Sequence, residues 1–295
     1  MIDYEKLRAK PDSPITLNDY STDDTDGLKD KDAGKKLQKD NLKHLKDLQD
    51  KLYAYNRYSL LLIFQAMDAA GKDSTIEHVM SGVNPQGCQV YSFKKPSDNE
   101  LEHDFLWRTY RALPERGRIG IFNRSYYEEV LVTRVHPEYI VGQRIPGIDT
   151  VEDIDESFWQ ERYRSINQME RHLHQNGTVI LKFFLNVSKE EQKQRFLKRI
   201  NRSEKNWKFT INDLEERTHW ESYQRAFEQA ISHTSTQEAP WHIIPADRKW
   251  YMRAAVSEII VDKLQSLDLQ YPQVTEEQRS NLQKAQQLFE SDPNA

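Results

Sequence analysis

The sequence predicts a three-layer α/β fold in which five parallel strands alternate with helices. Five short apolar runs recur along the chain, and stretches with apolar residues at helical spacing separate them. Strands that alternate with helices are joined by right-handed crossovers, which make the strands parallel and place helices on both faces of the sheet. The five predicted strands are 60–64, 88–93, 119–122, 179–187 and 241–245.

Composition limits the classes of protein to which the chain can belong. The 295 residues are 37% hydrophobic and 30% charged, with a formal net charge of −5, so we expect a globular protein without the positive field that attracts nucleic acid. The single cysteine, Cys88, excludes an internal disulfide and a multi-cysteine zinc site. No apolar run approaches the roughly 20 residues that span a bilayer, and the first residues lack a signal-peptide pattern. We therefore expect a cytoplasmic protein that binds neither nucleic acid nor membrane.

The chain opens with a polar lead-in, residues 1–34, that is rich in turn-forming residues. From about Lys35, leucines at helical spacing predict a helix that continues to Tyr55 and packs one apolar face on the sheet. The main domain is predicted to span 35–266. The Gln- and Glu-rich segment 267–295 is expected to be a polar tail that is helical in part.

The first predicted strand leads into a loop of small residues and then a helix start. N–H groups at a helix start converge on phosphate oxygens, small residues allow close approach, and Lys72 adds a point charge. We therefore interpret the loop as a phosphate cradle, although Ala66 and Asp73 stand where the strict motif has Gly and Ser or Thr. The alternative is an ordinary strand-turn-helix corner with a surface lysine. The loop residues predicted to bind phosphate or nucleotide are Ala69, Ala70, Gly71, Asp73 and Ser74.

Asp68 is unusual within such a loop. A carboxylate repels phosphate, by several kcal/mol at low dielectric constant, unless a cation compensates it. Mg²⁺, or Mn²⁺ in its place, is a cation that carboxylates and phosphates can share. We therefore predict that Asp68 is a metal ligand and that Asp68 and Lys72 are catalytic residues.

Polar side chains also follow other predicted strands. Ligands of parallel sheets bind beyond the carboxyl ends of the strands. Lys94 and Lys95 follow the second strand, and Asn123 and Arg124 follow the third. Each group alone would be an ordinary charged loop, but their joint placement favours one shared site. Arg124 is predicted to be catalytic, because its planar donor fork suits bidentate phosphate recognition.

Glu128 and Glu129 lie one turn beyond Asn123. P-loop enzymes usually carry a metal-binding aspartate at the position of Asn123. Both are candidates to supply the negative charge that the amide lacks, and we predict catalytic roles for them. For Glu128 a second interpretation is equally open, because Ser125-x-x-Glu128 fits a capping box with no catalytic role.

An excursion and a long helix separate the third and fourth predicted strands. Residues 135–156 contain His-Pro and Pro-Gly pairs and several acids, which are too irregular for a core element. Apolar residues at helical spacing predict a helix over 154–174, and Gly177 follows its end.

A basic segment follows the fourth predicted strand and is predicted to form a lid over about 188–218. Ser188 and Glu191 fit a capping box that begins its first helix. Arg195 and Arg199 are predicted to bind phosphate, because an arginine-rich lid would close over transferring phosphoryl groups and exclude water. A solvated charged face is the alternative.

Several segments resemble the polyphosphate kinase 2 family. They are 64–73, 92–96, 102–108, 119–129, 207–209 and 239–241. The resemblance spans about 37–264. It implies a P-loop kinase-like, thymidylate-kinase-like fold with a helical lid. It also implies reversible, Mg²⁺-dependent transfer of a terminal phosphoryl group between inorganic polyphosphate and nucleotides (AMP, ADP and ATP).

The resemblance also carries functional positions to this chain. They are Asp68, Lys72, Arg124, Arg199, Lys205 and Lys208. Many members have Asp at the position of Asn123, and this departure, with the insertion after His136, resembles the branch that converts both AMP to ADP and ADP to ATP. The alternative functions are an ATP-dependent nucleotide kinase and a non-catalytic P-loop scaffold that binds polyanions. We also expect a homo-oligomer.

Overall fold

The sheet confirms the predicted fold class. The computed structural model describes residues 2–291, apart from the side chain of Lys208. Five strands form one parallel sheet in the order β2-β3-β1-β4-β5. Each begins and ends within one residue of its predicted bounds. The strands are β1 (Ser59–Gln65), β2 (Cys88–Ser92), β3 (Ile119–Asn123), β4 (Thr178–Asn186) and β5 (Trp241–Pro245).

Strand β1 lies at the centre of the sheet. All seven of its residues are buried, and Leu62 pairs with Ile121 of β3 on one side and Leu181 of β4 on the other. Such continuous burial is typical of a parallel strand with helices over both faces. The loop after β1 therefore emerges at the middle of the carboxyl edge, between the ends of β3 and β4.

Helices cover both faces of the sheet. Helices α1, α2 and α11 pack together on one face, and α5, α7 and α10 pack together on the other. The α-helices are α1 (Lys31–Tyr55), α2 (Lys72–Val79), α3 (Asp98–Leu101), α4 (Trp107–Tyr110), α5 (Glu128–Val135), α6 (Glu138–Val141), α7 (Glu156–Gln175), α8 (Lys189–Ile200), α9 (Asn212–Thr218), α10 (Trp220–Thr234), α11 (Lys249–Gln265) and α12 (Glu276–Ser291).

The polar lead-in is more ordered than its composition indicates. Helix α1 begins at Lys31, four residues before the predicted start, because the Asp30 carboxylate accepts two N–H groups of its first turn. Upstream, the N–H of Ala9 donates to the Trp241 carbonyl at 2.9 Å, and Leu17 is buried. The lead-in therefore packs along β5, at the edge of the sheet.

The irregular excursion and the tail also contain helices. Helix α6 lies within the excursion and buries Ile140 completely. Helix α7 begins at Glu156, two residues after the predicted start, because Asp155 caps it by accepting the N–H of Phe158 at 3.0 Å. Helix α12 confirms that the tail is helical in part, and residues 292–295 lie outside the described residues. Among the described helices, none has the length and apolar character that crossing a bilayer demands.

Candidate active site

The loop after β1 forms the floor of the site. Ala69 (φ 60°) and Gly71 (φ 104°) adopt the left-handed backbone conformation, and α2 begins at Lys72. Left-handed residues within a turn direct successive N–H groups to one side, which creates an anion-binding concavity. An alanine at positive φ is uncommon and strained, and such strain is concentrated at functional loops. The backbone therefore has the conformation that a phosphate cradle requires.

Helix α8 holds the outer side of this loop. Gln192 Nε2 donates to the Asp68 carbonyl at 2.9 Å, and Arg195 Nη1 donates to the Ala70 carbonyl at 2.5 Å. Arg195 Nη2 donates to the Ala246 carbonyl at 2.6 Å. Arg195 was predicted to bind phosphate, and it does border the large cleft that is described below. Its two Nη groups contact backbone carbonyls, however, so Arg195 holds the loop in shape.

Lys72 lies beneath the loop with 8% of its surface exposed. Its Nζ donates to the Ala66 carbonyl at 2.8 Å. Burial lowers the pKa of Lys72 to about 8, and the Arg124 guanidinium adds to this decrease while Asp68 opposes it. A phosphate in the cradle would favour the charged amine and raise the pKa again.

Arg124 connects two carboxylates at the end of β3. Its backbone also has a positive φ of 64°. Arg124 Nη2 lies 2.7 Å from Asp68 Oδ1, and Nη1 lies 2.8 Å from Glu128 Oε2. The Gln65 side chain donates to the other Glu128 oxygen at 3.0 Å. Glu128 is the main cause of a raised pKa of Arg124. Burial opposes this effect and Asp68 adds to it, so the guanidinium stays charged.

Neither predicted capping box forms completely. Ser125 Oγ accepts the N–H of Tyr127, and the Glu128 carboxylate binds Arg124. The capping interpretation of Glu128 is therefore wrong. At the start of α8, Ser188 Oγ accepts the Glu191 N–H at 3.1 Å, as predicted. The Glu191 carboxylate instead accepts Arg195 Nε at 2.8 Å. In both cases the glutamate carboxylate binds a nearby arginine and not the backbone N–H at the helix start.

Glu129 was predicted to be catalytic, but it lies in a buried cluster and lines neither of the cavities described below. Its carboxylate accepts Gln143 Nε2 at 2.6 Å and lies 3.5 Å from Arg108 Nη2 and 3.9 Å from Arg162 Nη1. Burial raises the pKa of Glu129, and the two arginines oppose this effect. Arg108 Nη1 also donates to the Lys94 carbonyl at 2.7 Å, so the cluster anchors the loop that follows β2.

Asn123 and Asp73 meet beside the cradle. Asn123 Nδ2 donates to Asp73 Oδ1 at 2.7 Å. Residues 2–291 contain no group of three or more His, Cys, Asp or Glu that could enclose a metal. Mg²⁺ at phosphoryl-transfer sites, however, is commonly held by one or two carboxylates together with substrate phosphates. Asp68 and Asp73 both line the cleft, so the donors present fit Mg²⁺.

Two cavities share a wall formed by Asp68, Arg124 and Asp213. The smaller has a volume of about 30 Å³ and lies between the loop, α5, α9 and α10, with Leu131, Tyr223 and Phe227 on its walls. The larger is an open cleft of about 950 Å³. Its cationic lining includes Lys72, Lys94, Arg124, Arg195, Lys198, Arg199, Arg202, Lys205 and Lys249.

The remaining predicted residues are divided between the cleft and its surroundings. Lys95 lines a neighbouring groove of about 490 Å³ that shares Lys94 with the cleft, and its Nζ lies 5.7 Å from the centre of the Tyr139 ring. Ala70 is fully buried and does not line the cleft. The side chain of Lys208 lies outside the described residues. The predicted residues of the loop and the β3 end that line the cleft are Ala69, Gly71, Asp73, Ser74 and Asn123.

The sequence-based prediction missed Gln192. This buried side chain donates to the Asp68 carbonyl and accepts a hydrogen bond from Arg217 of α9. Gln192 therefore connects the predicted lid to the phosphate loop. The spacing of Gln192 and Arg195 was an available signal, because residues three apart share one face of a helix.

Comparison with known proteins supports the resemblance seen in the sequence. The model of the family described as Polyphosphate kinase 2 (PPK2) matches residues 28–272. The chain belongs to the polyphosphate kinase 2 family. It is 51% identical over 289 residues to the ADP-polyphosphate phosphotransferase of Rhodopseudomonas palustris, covering 98% of this chain and 99% of that protein. It is 44% identical to the AMP/ADP-polyphosphate phosphotransferase of Meiothermus ruber, covering 91% and 96%.

A solved structure of the family confirms the P-loop kinase-like fold. The crystal structure of polyphosphate kinase 2 from Arthrobacter aurescens TC1 superposes with a TM-score of 0.85 at 38% identity. The match covers 95% of this chain and 96% of that one.

Proposed function

We propose that this chain transfers the terminal phosphoryl group of inorganic polyphosphate to AMP and ADP, reversibly and with Mg²⁺. The observation that carries the proposal is the meeting of a large cationic cleft and a smaller, partly apolar cavity at Asp68 and Arg124. The relatives named as ADP- and AMP/ADP-polyphosphate phosphotransferases support the substrate class.

Polyphosphate fits the larger cleft. A row of phosphates has no base or sugar to recognise, so its site needs cations along a line and little else. Those cations come from the loops after β1, β2 and β3, from α8 and the turn after it, and from Lys249 at the start of α11. Desolvation by its surroundings lowers the pKa of Lys249 to about 8, with Arg195 adding to the effect. A bound polyanion would therefore favour the charged form of Lys249.

The acceptor nucleotide fits the smaller cavity. Its apolar walls suit a nucleobase, and Asp68 and Arg124 lie where the nucleotide's phosphates would meet the donor. A volume of about 30 Å³ is far smaller than the roughly 300–1,000 Å³ of a typical small-molecule pocket. Nucleotide entry therefore requires α9 to move outward, which gives the predicted lid its role.

Charge stabilisation and positioning would supply most of the rate acceleration, because phosphoryl transfer needs little acid-base chemistry. An oxygen of the acceptor's terminal phosphate attacks the terminal phosphorus of polyphosphate. The bond from that phosphorus to its bridging oxygen breaks, and the shortened polyphosphate leaves. Lys72 and Arg124 stabilise the charge on the transferring group, while Asp68 and Glu128 fix the Arg124 guanidinium. Mg²⁺, held by Asp68 and substrate phosphates, would neutralise further phosphate charge.

The experiment is an assay of AMP and ADP with polyphosphate as donor, with Mg²⁺ and with EDTA. We expect ADP and ATP to form from polyphosphate only when the metal is present. AMP phosphorylation by ATP without any use of polyphosphate would favour a conventional nucleotide kinase. Polyphosphate binding without turnover under any condition would favour a scaffold. We also propose that the protein is a cytoplasmic homo-oligomer. Light scattering would measure the mass of the assembly.

A further inference from the structure

We propose that Asp73 is a carboxylate ligand of the divalent cation and that Asn123 orients it. This inference rests on the proposed function, because it concerns the cation of that reaction. It adds a ligand to the role predicted for Asp68. It also explains how the site tolerates an amide at the end of β3.

The two residues occupy the positions of a known ligand pair with their chemistry exchanged. In P-loop NTPases, a Ser or Thr directly after the loop lysine and an Asp at a nearby strand end hold Mg²⁺. Here the residue after Lys72 is Asp73, and β3 ends at Asn123. The pair keeps one carboxylate and one neutral side chain, but each has moved to the other element.

The geometry brings the exchanged pair into contact. Asn123 pairs with Phe64 in the sheet, so the end of β3 lies beside the strand that begins the loop. Asn123 Nδ2 donates to Asp73 Oδ1 at 2.7 Å. No residue of the described chain donates to Asp73 Oδ2, which leaves that oxygen for another partner in the cleft.

Three other carboxylates near the loop pair with arginines. Asp68 and Glu128 both pair with Arg124, and Glu129 lies in its own buried cluster. Asp73 forms no ion pair with any residue that the structure describes. An uncompensated carboxylate beside a phosphate cradle repels the substrate. A divalent cation between Asp73 and the phosphates removes that repulsion.

The test is an exchange of the two residues, measured with Mn²⁺ as a spectroscopic probe. Free Mn²⁺ is titrated by electron paramagnetic resonance against ADP-saturated protein, after subtraction of the Mn²⁺ that ADP binds alone. We expect Asp73→Ser to weaken Mn²⁺ binding at least ~10-fold, as loss of a ligand or its support does. The double variant Asp73→Ser/Asn123→Asp restores the usual pair and should return the affinity to within about threefold of the unaltered protein.

Matched variants separate ligation from charge and folding. Glu77→Gln removes the same charge from the same helix and the same cleft, and it should leave Mn²⁺ affinity unchanged. Asp73→Asn keeps the size of the side chain and should lose Mn²⁺ as Asp73→Ser does. Thermal melting and metal-free ADP binding show whether each variant is folded and still binds nucleotide.

Three results would overturn the inference. They are Mn²⁺ affinity retained in Asp73→Ser, no recovery in the exchanged double variant, and no Mn²⁺ binding by the unaltered protein. The polyphosphate assay of the unaltered protein tests the proposed function separately. Turnover with polyphosphate together with a metal-competent Asp73→Ser variant would reject only the assignment of Asp73. The expected Mn²⁺ pattern without any turnover would reject only the proposed reaction.

Discussion

Two of the charge clusters on this sheet differ in how they are paired, and one lies in the core while the other lies at the carboxyl edge. In the core, Lys182 Nζ donates to Glu170 at 2.6 Å, to the Tyr127 hydroxyl at 2.8 Å and to the Thr234 carbonyl at 2.7 Å. The second Glu170 oxygen accepts the hydroxyls of Tyr126 and Tyr127 at 2.7 and 2.8 Å. The chain itself therefore supplies a partner for each charged group of the core cluster.

The cluster at the edge has the same types of charge in an open arrangement. The side chains of Arg124 and Asp68 are 35% and 32% exposed, whereas those of Lys182 and Glu170 are 0% and 1% exposed. Arg124 is shared between two carboxylates, and cavities lie on both sides of it.

The difference shows what each cluster can do. Removing one partner of a fully paired buried charge leaves the other uncompensated, which strongly destabilises the fold. Charges at the wall of a cleft can exchange partners with a ligand at little cost to the fold. Substitutions in the core cluster should therefore change stability, and substitutions at the edge should change turnover.

The largest effect is expected for Lys182→Met. It leaves the Glu170 carboxylate buried without a cation, so we expect the free energy of unfolding to fall by about 3–5 kcal/mol. Urea denaturation followed by circular dichroism measures the loss. The double variant Lys182→Met/Glu170→Gln carries no buried charge and should be more stable than the single variant. A single variant within ~1 kcal/mol of the unaltered protein would remove the basis for the comparison.

The opposite pattern is expected for Asp68→Asn. The amide cannot hold the Arg124 guanidinium or a cation as the carboxylate can, so we expect kcat with polyphosphate to fall at least ~100-fold. Stability should change little, because the site is partly exposed. Glu161→Gln, which removes an exposed carboxylate from α7, is the matched control. Turnover within threefold of the unaltered protein would show that Asp68 has no catalytic role.

The strands were predictable because each is a short apolar run bounded by polar residues. This local pattern placed β5 at its observed bounds and the other four within one residue. Burial of the lead-in was less predictable, since Leu17 and Ala9 are isolated apolar residues in a polar segment. Only their contacts with distant parts of the chain, β5 among them, make them part of the core.

The candidate site was predictable where its signals are local. Lys72 stands out because it ends the small-residue loop after β1, and Arg124 because it follows β3 directly. The partners of Glu128 were not visible, because Gln65 lies 63 residues away in the sequence and the local pattern favoured a capping box equally. The same limit applies in the core, because the sequence shows Lys182 only as an isolated lysine in an apolar strand. It does not show that Glu170 neutralises its charge.

A smaller effect at the open edge is expected from Lys94→Gln. Lys94 lines both the large cleft and the groove beside it, whereas Lys95 lines the groove alone. We expect Lys94→Gln to raise the KM for polyphosphate by about tenfold, equivalent to ~1.4 kcal/mol, with little change in the KM for nucleotide. The slope of log KM against log salt should decrease by about one.

Lys95→Gln distinguishes the cleft from the groove. It should affect long polyphosphate chains more than short ones, because only a long chain can extend from the cleft into the groove. Loss of both lysines together should exceed either single effect. Equal changes in the KM values for polyphosphate and nucleotide would contradict the assignment of these lysines to the donor.

The smallest effect per residue is a pH dependence of two lysines at the carboxyl edge. Lys72 and Lys249 both have a pKa lowered to about 8 in the unliganded protein. Deprotonation removes positive charge from the cleft, so kcat/KM for polyphosphate should fall as the pH rises through 8, by about three- to fourfold per lysine between pH 7 and 8.5. Bound phosphates keep both amines protonated, so kcat at saturating polyphosphate should fall less. Lys249→Met removes one of the two ionisations and should make the decline shallower, whereas a kcat/KM that stays constant to pH 9 would show that neither proton is needed for donor binding.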